Sequence, residues 1–189
     1  MKLIRRATAL TITALLAAPG VAAADEAVIM DQATLDAQLA RAFTPSWGNT
    51  FAADAIYRHV AAERGWTPEA IEANRPFIFA VMERETGGSY CFNLRGGDQV
   101  DSQCRVTRSG ERSGHYSDSG PGQVNGVHYR NNGWLCRQEG LCSAEDIIAT
   151  PQAGMTAFLA VVERGGKGPW CWSAKLKRTA LCKMGLMQP

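Results

Sequence analysis

Histidine is scarce in this chain: three of 189 residues, His59, His115 and His128, far apart and none within an H-E-x-x-H pattern. A zinc hydrolase site is therefore not expected, nor any other metal, and each histidine reads as an ordinary surface or packing residue. No C-x-x-C pair occurs, which argues against a thioredoxin-like redox site. No uninterrupted apolar run reaches the roughly 18 to 20 residues that cross a bilayer, so stable membrane insertion is not expected. Solenoid repeats and long low-complexity tracts are also absent. What remains is a globular balance, 46% hydrophobic and 20% charged residues, in a length that suits one domain.

The first 24 residues read as an export signal. Lys2, Arg5 and Arg6 give a positive start, Ala7 to Ala18 an apolar stretch too short to span a membrane, and Pro19-Gly20 a break. Ala22-Ala23-Ala24 supplies the small residues of a cleavage site, with Asp25 as the first residue expected after it. The expected organisation is signal peptide 1–24, then one domain over 25–189, periplasmic or secreted. Taking three basic residues from the 20 in the chain leaves 17 against 18 acidic ones, a net charge of −1. That balance gives no reason to expect a nucleic-acid partner.

Export makes disulfides the default state of Cys91, Cys104, Cys136, Cys142, Cys171 and Cys182. Six cysteines allow fifteen connectivities. The spacing suggests three local staples, 91–104, 136–142 and 171–182. A catalytic cysteine would leave an odd number, which argues against a cysteine protease.

The pattern beyond the signal is mostly helical. Leu35, Leu39 and Phe43 give an amphipathic segment over Thr34 to Phe43. Phe51 to Arg64 reads as a second helix, stopped by Gly65. Thr67-Pro68-Glu69 starts a third with an N-cap hydroxyl, a first-turn proline and an acid at the dipole's positive end. It runs to Glu85, with a possible break near Pro76. Residues 87–133 are rich in Gly, Ser, Asn and Asp and too long for an idle connection, so they are expected to build a binding or active-site segment. A small hairpin or sheet is placed around Gln123 to Tyr129. Ser143-x-x-Asp146 resembles a capping box. Thr150-Pro151 opens a helix with Met155, Phe158, Leu159 and Val162 on one stripe, closed by Gly165-Gly166. Ser173 to Leu181 reads as a last short helix. The expected fold is mainly α, with a loop-rich or small β middle segment, stapled by disulfides.

Glu85 continues an apolar stripe, standing three residues after Met82, four after Val81 and seven after Ile78. Glu83 is rotated about 200° from it, at 100° per residue. Glu85 is thus the carboxylate expected to face inward, at a helix C-terminus beside two glycines. Apolar surroundings and the negative end of the helix dipole both favour its protonated form. A protonated carboxylic acid is what general-acid cleavage of a glycosidic bond requires. The plainer alternative is a helix-end glutamate paired with a nearby arginine.

Three short motifs follow in order: Glu85-Thr86-Gly87, then Ser119-Gly120-Pro121-Gly122-Gln123-Val124-Asn125, then Pro151-Gln152-Ala153-Gly154 with Phe158-Leu159. In order and spacing they resemble the soluble lytic transglycosylase and goose-type lysozyme-like superfamily, over roughly residues 68–182. The resemblance implies a lysozyme-like domain that cleaves peptidoglycan glycan strands without a cofactor, with Glu85 as the single catalytic acid. It implies that Ser119, Gly122, Gln123 and Asn125 shape the cleft, and that Gly120 and Gly122 let backbone approach the sugar. Two departures stand out. The stretch from Glu85 to Gly120 is long and holds the Cys91–Cys104 candidate loop. The family's Ala-Tyr-Asn-Ala-Gly segment has a faint echo in Cys171-Trp172-Ser173-Ala174-Lys175, where Trp172 stands as a sugar-stacking ring or a core residue.

The lytic transglycosylase outcome is expected, with the hydrolytic lysozyme outcome and a non-catalytic peptidoglycan-binding or interaction protein as alternatives. Hydrolysis calls for a second carboxylate, and Asp98, Asp101 and Asp118 are candidates, though Asp also favours turns. Gly185-Leu186-Met187-Gln188 copies the second family motif literally, 22 residues after Glu163, but a single residue follows it. It reads as coincidence or as a tail. Nothing in the sequence specifies a protein partner, secretion machinery included.

Overall fold

The computed structural model describes residues 50–172 and 178–187. Helix α1 spans Thr50–Glu63, α2 Pro68–Glu85, α3 Trp134–Glu139, α4 Ala144–Ile148, α5 Pro151–Gly165 and α6 Ala180–Lys183. Two short strands, β1 (Gln99–Val100) and β2 (Val106–Arg108), and two 3-10 turns, Gly126–His128 and Gly168–Trp170, complete the described elements. The fold is mainly α, with its few strand residues confined to the middle segment. The segment expected as a helix over 34–43 and the start of the one expected over 173–181 lie outside the described residues; α6 begins at Ala180.

Helix α5 forms the centre. Its stripe of Met155, Phe158, Leu159 and Val162 is buried, and so are Ala157, Ala160 and Val161 on the other sides. A helix apolar all round must be enclosed all round, and α1, α3, α4 and the Gly168–Trp170 turn pack against it. Thr150 caps it by accepting a hydrogen bond from Ala153 N at 3.0 Å. Helix α2 starts as the sequence indicates, with Thr67 Oγ1 accepting from Ala70 N. It is unbroken at Pro76. That residue sits on the exposed face beside exposed Glu72, so the carbonyl it leaves without a helical partner is open to water. Phe77, Ile78, Val81 and Met82 are fully buried on the opposite face.

Three disulfides close between Cys91 and Cys104, Cys136 and Cys142, and Cys171 and Cys182. They fit an oxidising, extracellular setting. Among the described residues no helix is long and apolar enough to cross a membrane. Ser143 and Asp146 form the expected capping box at α4.

The middle segment differs from expectation. The hairpin lies at residues 99–108, inside and just beyond the Cys91–Cys104 loop, not at 123–129. Over 123–129 the chain instead makes the 3-10 turn, because the Asn125 side chain accepts from Val127 N at 3.0 Å and curls the backbone. Strand-like bridges join Arg95 to Ser119 and Ser119 to Val124. Gly96 N donates to Asp118 O and Gly120 N to Leu94 O, so the segment before the hairpin is laced to the Gly-Pro-Gly-Gln turn.

Candidate active site

Glu85 is the last residue of α2, and the chain beyond it is held firmly. Thr86 N and Oγ1 both donate to Met82 O, and Thr86 Oγ1 accepts from Tyr90 N. Gly87 and Gly88 adopt φ of +62° and +81°, the left-handed backbone that ends a helix, and Gly88 N reaches back to Glu83 O at 2.7 Å. The expected motif thus fixes where the Glu85 carboxylate stands.

That carboxylate lies between two cavities, of about 270 and 360 Å³, and Glu85 and Gln123 line both. The first is walled by the chain that follows α2 and by Leu94 to Val100. The second is bounded by the Gln123–Asn125 turn, Trp170 and Trp172. Glu85 is not sealed in an apolar pocket. Its side chain is 24% exposed, and Oε1 accepts from Arg84 Nε at 2.9 Å and from Arg84 Nη2. Arg84 is steadied in turn by the Trp170 carbonyl at 3.4 Å. The arginine-paired arrangement and the cavity position therefore occur together.

The second motif is brought to the same place, but its residues divide the work. Gln123 has φ of +48°, and its Nε2 donates to Gly120 O at 3.0 Å. This holds the amide where it lines both cavities. Asn125 lines the second cavity, yet its amide is committed: Oδ1 caps the 3-10 turn and Nδ2 donates to Asp118 Oδ1 at 2.6 Å. Ser119 lines neither cavity. It is fully buried, bridged to Val124 through backbone and 3.3 Å from Tyr129 Oη, so it holds the turn from below. Gly122 also faces inward. A Cβ there would stand 2.4 Å from the Phe158 ring, and its carbonyl accepts from Trp170 Nε1 at 3.0 Å. Gly120 packs near Gly154, 3.5 Å from a virtual Cβ to the Gly154 Cα. These glycines serve close packing on α5 rather than approach to a ligand. They also explain why the second and third motifs occur together: the turn of one rests on the helix start of the other.

Trp172 lines the second cavity and is 75% exposed, so core packing is not its role. Trp170 is the buried ring, edge-on to Phe77 and Phe158.

The three candidate second carboxylates separate clearly. Asp101 accepts from Gln103 N, Arg105 N and Arg105 Nε, as a turn residue does. Asp98 lines the first cavity, but its oxygens accept from Arg95 N and Gly110 N. Asp118 lines the second cavity together with Glu85. Burial pushes its carboxyl above the usual range, against the opposing pull of Asn125 and of His115, whose Nδ1 is 3.5 Å away. His128 lines that cavity too; its Nδ1 accepts from Trp134 Nε1, and burial followed by the Arg164 charge favours its neutral form. Arg84 as the specific partner of Glu85, His128 in the second cavity and Gln99 in the first are not among the residues that the sequence singles out for the site. Arg84 was legible as the neighbour of Glu85, whereas nothing in the local pattern marks the other two.

Elsewhere, Glu163 is bound by Arg64 and by Trp66 Nε1, and the Met187 backbone is clamped by Asn74. Glu163 is thereby part of a structural ion cluster, and Gln188 lies outside the described residues. Among the described residues no group of three His, Cys, Asp or Glu is placed to hold a metal ion. Comparison with protein-family models, with curated proteins and with solved structures gives no match.

Proposed function

We propose that this protein is an exported enzyme that cleaves the glycan strands of peptidoglycan, acting as a lytic transglycosylase on the bond from N-acetylmuramic acid to N-acetylglucosamine within a lysozyme-like domain. The observation that carries the reading is the position of Glu85, at a rigid helix end between two cavities that share Gln123. A strand laid across both would bring one glycosidic oxygen to the carboxyl. Glu85, protonated, gives its proton to that oxygen as the bond breaks and positive charge grows on the sugar ring. The resulting carboxylate takes the proton of the muramic acid 6-hydroxyl, whose oxygen closes a 1,6-anhydro ring. No water is consumed. Both Arg84 contacts fall on Oε1, leaving Oε2 without a hydrogen-bond partner among the described residues. That oxygen is the one open to substrate. Trp172 offers a ring face against which a sugar can stack.

Asp118 supports the second reading, hydrolysis, because a carboxyl group sharing a cavity with Glu85 is where a water would be activated. Mass spectrometry of products from purified sacculi separates the two: an anhydro end means transglycosylation and a reducing end means hydrolysis. Glu85→Gln is expected to cut product formation by at least about 100-fold, as loss of a general acid does, while sacculus binding and the melting temperature hold. No product from the unsubstituted protein would leave a binding role in place of the enzyme.

A further inference from the structure

The first cavity has a wall that the family-like motifs do not supply. Leu94, Arg95 and the run from Gly97 to Val100 form it, held by the Cys91–Cys104 disulfide, by the β1–β2 pairing and by the backbone bonds to Asp118 and Gly120. Two glycines behind this wall, Gly96 and Gly110, show how closely it is backed. A Cβ on Gly96 would lie 1.9 Å from the His115 carbonyl oxygen, and one on Gly110 would lie 2.4 Å from Gly96 O. The wall is thus a built surface with a defined shape.

Most polar side chains facing this cavity are already occupied. Thr86 and Ser89 bond to backbone around the helix end. Asp98 holds two backbone N–H groups. Arg95 pairs with Glu145 and lies 4.8 Å over the Tyr116 ring. Gln99 differs. It is exposed, its backbone oxygen accepts from Thr107 Oγ1, and its side-chain amide has no hydrogen-bond partner among the described residues. With Glu85 and Gln123 it is the polar side chain with capacity to spare. Leu94, which is buried, and Val100, which is half-buried, are apolar residues that line the same cavity.

A primary amide presents a donor and an acceptor side by side, which matches the N–H and C=O of a secondary amide. The apolar side chains of the same cavity suit a small apolar group attached to it. The cavity, at about 270 Å³, is far larger than the roughly 30 Å³ of a water. We propose that Gln99 is a specificity-determining residue that binds a secondary amide of the substrate strand, an acetamido group on a sugar, with its methyl set against Leu94 and Val100. This rests on the reading of the substrate as peptidoglycan. The same amide chemistry occurs in the first peptide bond of a stem, so the two sources have to be tested apart.

The test uses the oxidised protein with Glu85→Gln, to prevent turnover, and the same protein with Gln99→Ala added. Calorimetric titration is run with an N-acetylglucosamine hexamer, a glucosamine hexamer and a soluble peptide-bearing muropeptide. Removing one neutral hydrogen-bonding partner should weaken binding of the acetylated hexamer about three- to tenfold. The two proteins should bind the glucosamine hexamer alike. A loss seen only with the muropeptide would overturn the acetamido assignment and place the bound amide in the peptide stem. Equal affinity of the two proteins for all three ligands would overturn the proposal, as would absence of binding by the Glu85→Gln parent. Because the Gln99 side chain bonds to nothing described, equal melting temperatures are expected and serve as the control. Digestion of sacculi by the unsubstituted protein is read separately, so failure of the enzyme reading is distinct from failure of the Gln99 assignment.

Discussion

Gly122 has no room for a methyl group: the Phe158 ring occupies the place a Cβ would take. Gly122→Ala is therefore expected to destabilise the fold by about 1–3 kcal/mol through overpacking, read as a lower denaturation midpoint. Asp118 makes a different prediction. Its carboxyl titrates above the usual aspartate range because burial disfavours the charge. The folded state then holds this proton more tightly than the unfolded chain does, so stability falls as pH rises from the unfolded value through the folded one, and the cost is constant above that. Asp118→Asn can still accept from Asn125 Nδ2 through its own amide oxygen. It should raise the melting temperature at pH 7 and leave it nearly unchanged below pH 3, as a thermal melt at the two values would show. Of the site itself, Glu85 was legible because an apolar stripe marks the face on which it lies. The inward roles of Ser119 and Gly122 were not, because a Gly-Pro-Gly turn looks the same in sequence whether it faces a ligand or a phenyl ring.

Among the elements, those with strong start and stop chemistry were readable. Helices α1, α2 and α5 carry apolar periodicity, and α2 and α5 also have a hydroxyl cap followed by proline. Helix α3 is not marked in the sequence, because it is six residues long and its N-cap, Gly133, has no side chain to cap it. The hairpin was misplaced because its strands are two and three residues long and β2 is wholly exposed, so no alternation betrays them. Helix α2 also carries a contact that no local pattern announces. Asn74 is fully buried, donating to Met187 O at 2.9 Å and accepting from Met187 N at 2.6 Å. Asn74→Ala removes both bonds and leaves backbone groups unpaired, with an expected loss of about 1–3 kcal/mol. Amide hydrogen exchange at Met187 should speed up far more than exchange within α5.

The molecule as a whole depends on covalent as well as apolar cohesion. Arg64, just after α1, binds Glu139 of α3 and Glu163 of α5. Among the disulfides, Cys136–Cys142 ties the chain after α3 to that helix, Cys171–Cys182 ties the chain after the Gly168–Trp170 turn to α6, and Cys91–Cys104 closes a loop within the middle segment. In a domain of this size each native disulfide typically contributes about 2–5 kcal/mol. Strong reductant is expected to lower the melting temperature markedly, whereas an unchanged calorimetric melt would mean that the staples are dispensable. Their arrangement has a further consequence. The bridges join cysteines 13, 6 and 11 residues apart, always the nearest neighbour in sequence. Each bridge therefore closes its own short loop and none spans another, so any one of them can form or be lost without the other two being rearranged.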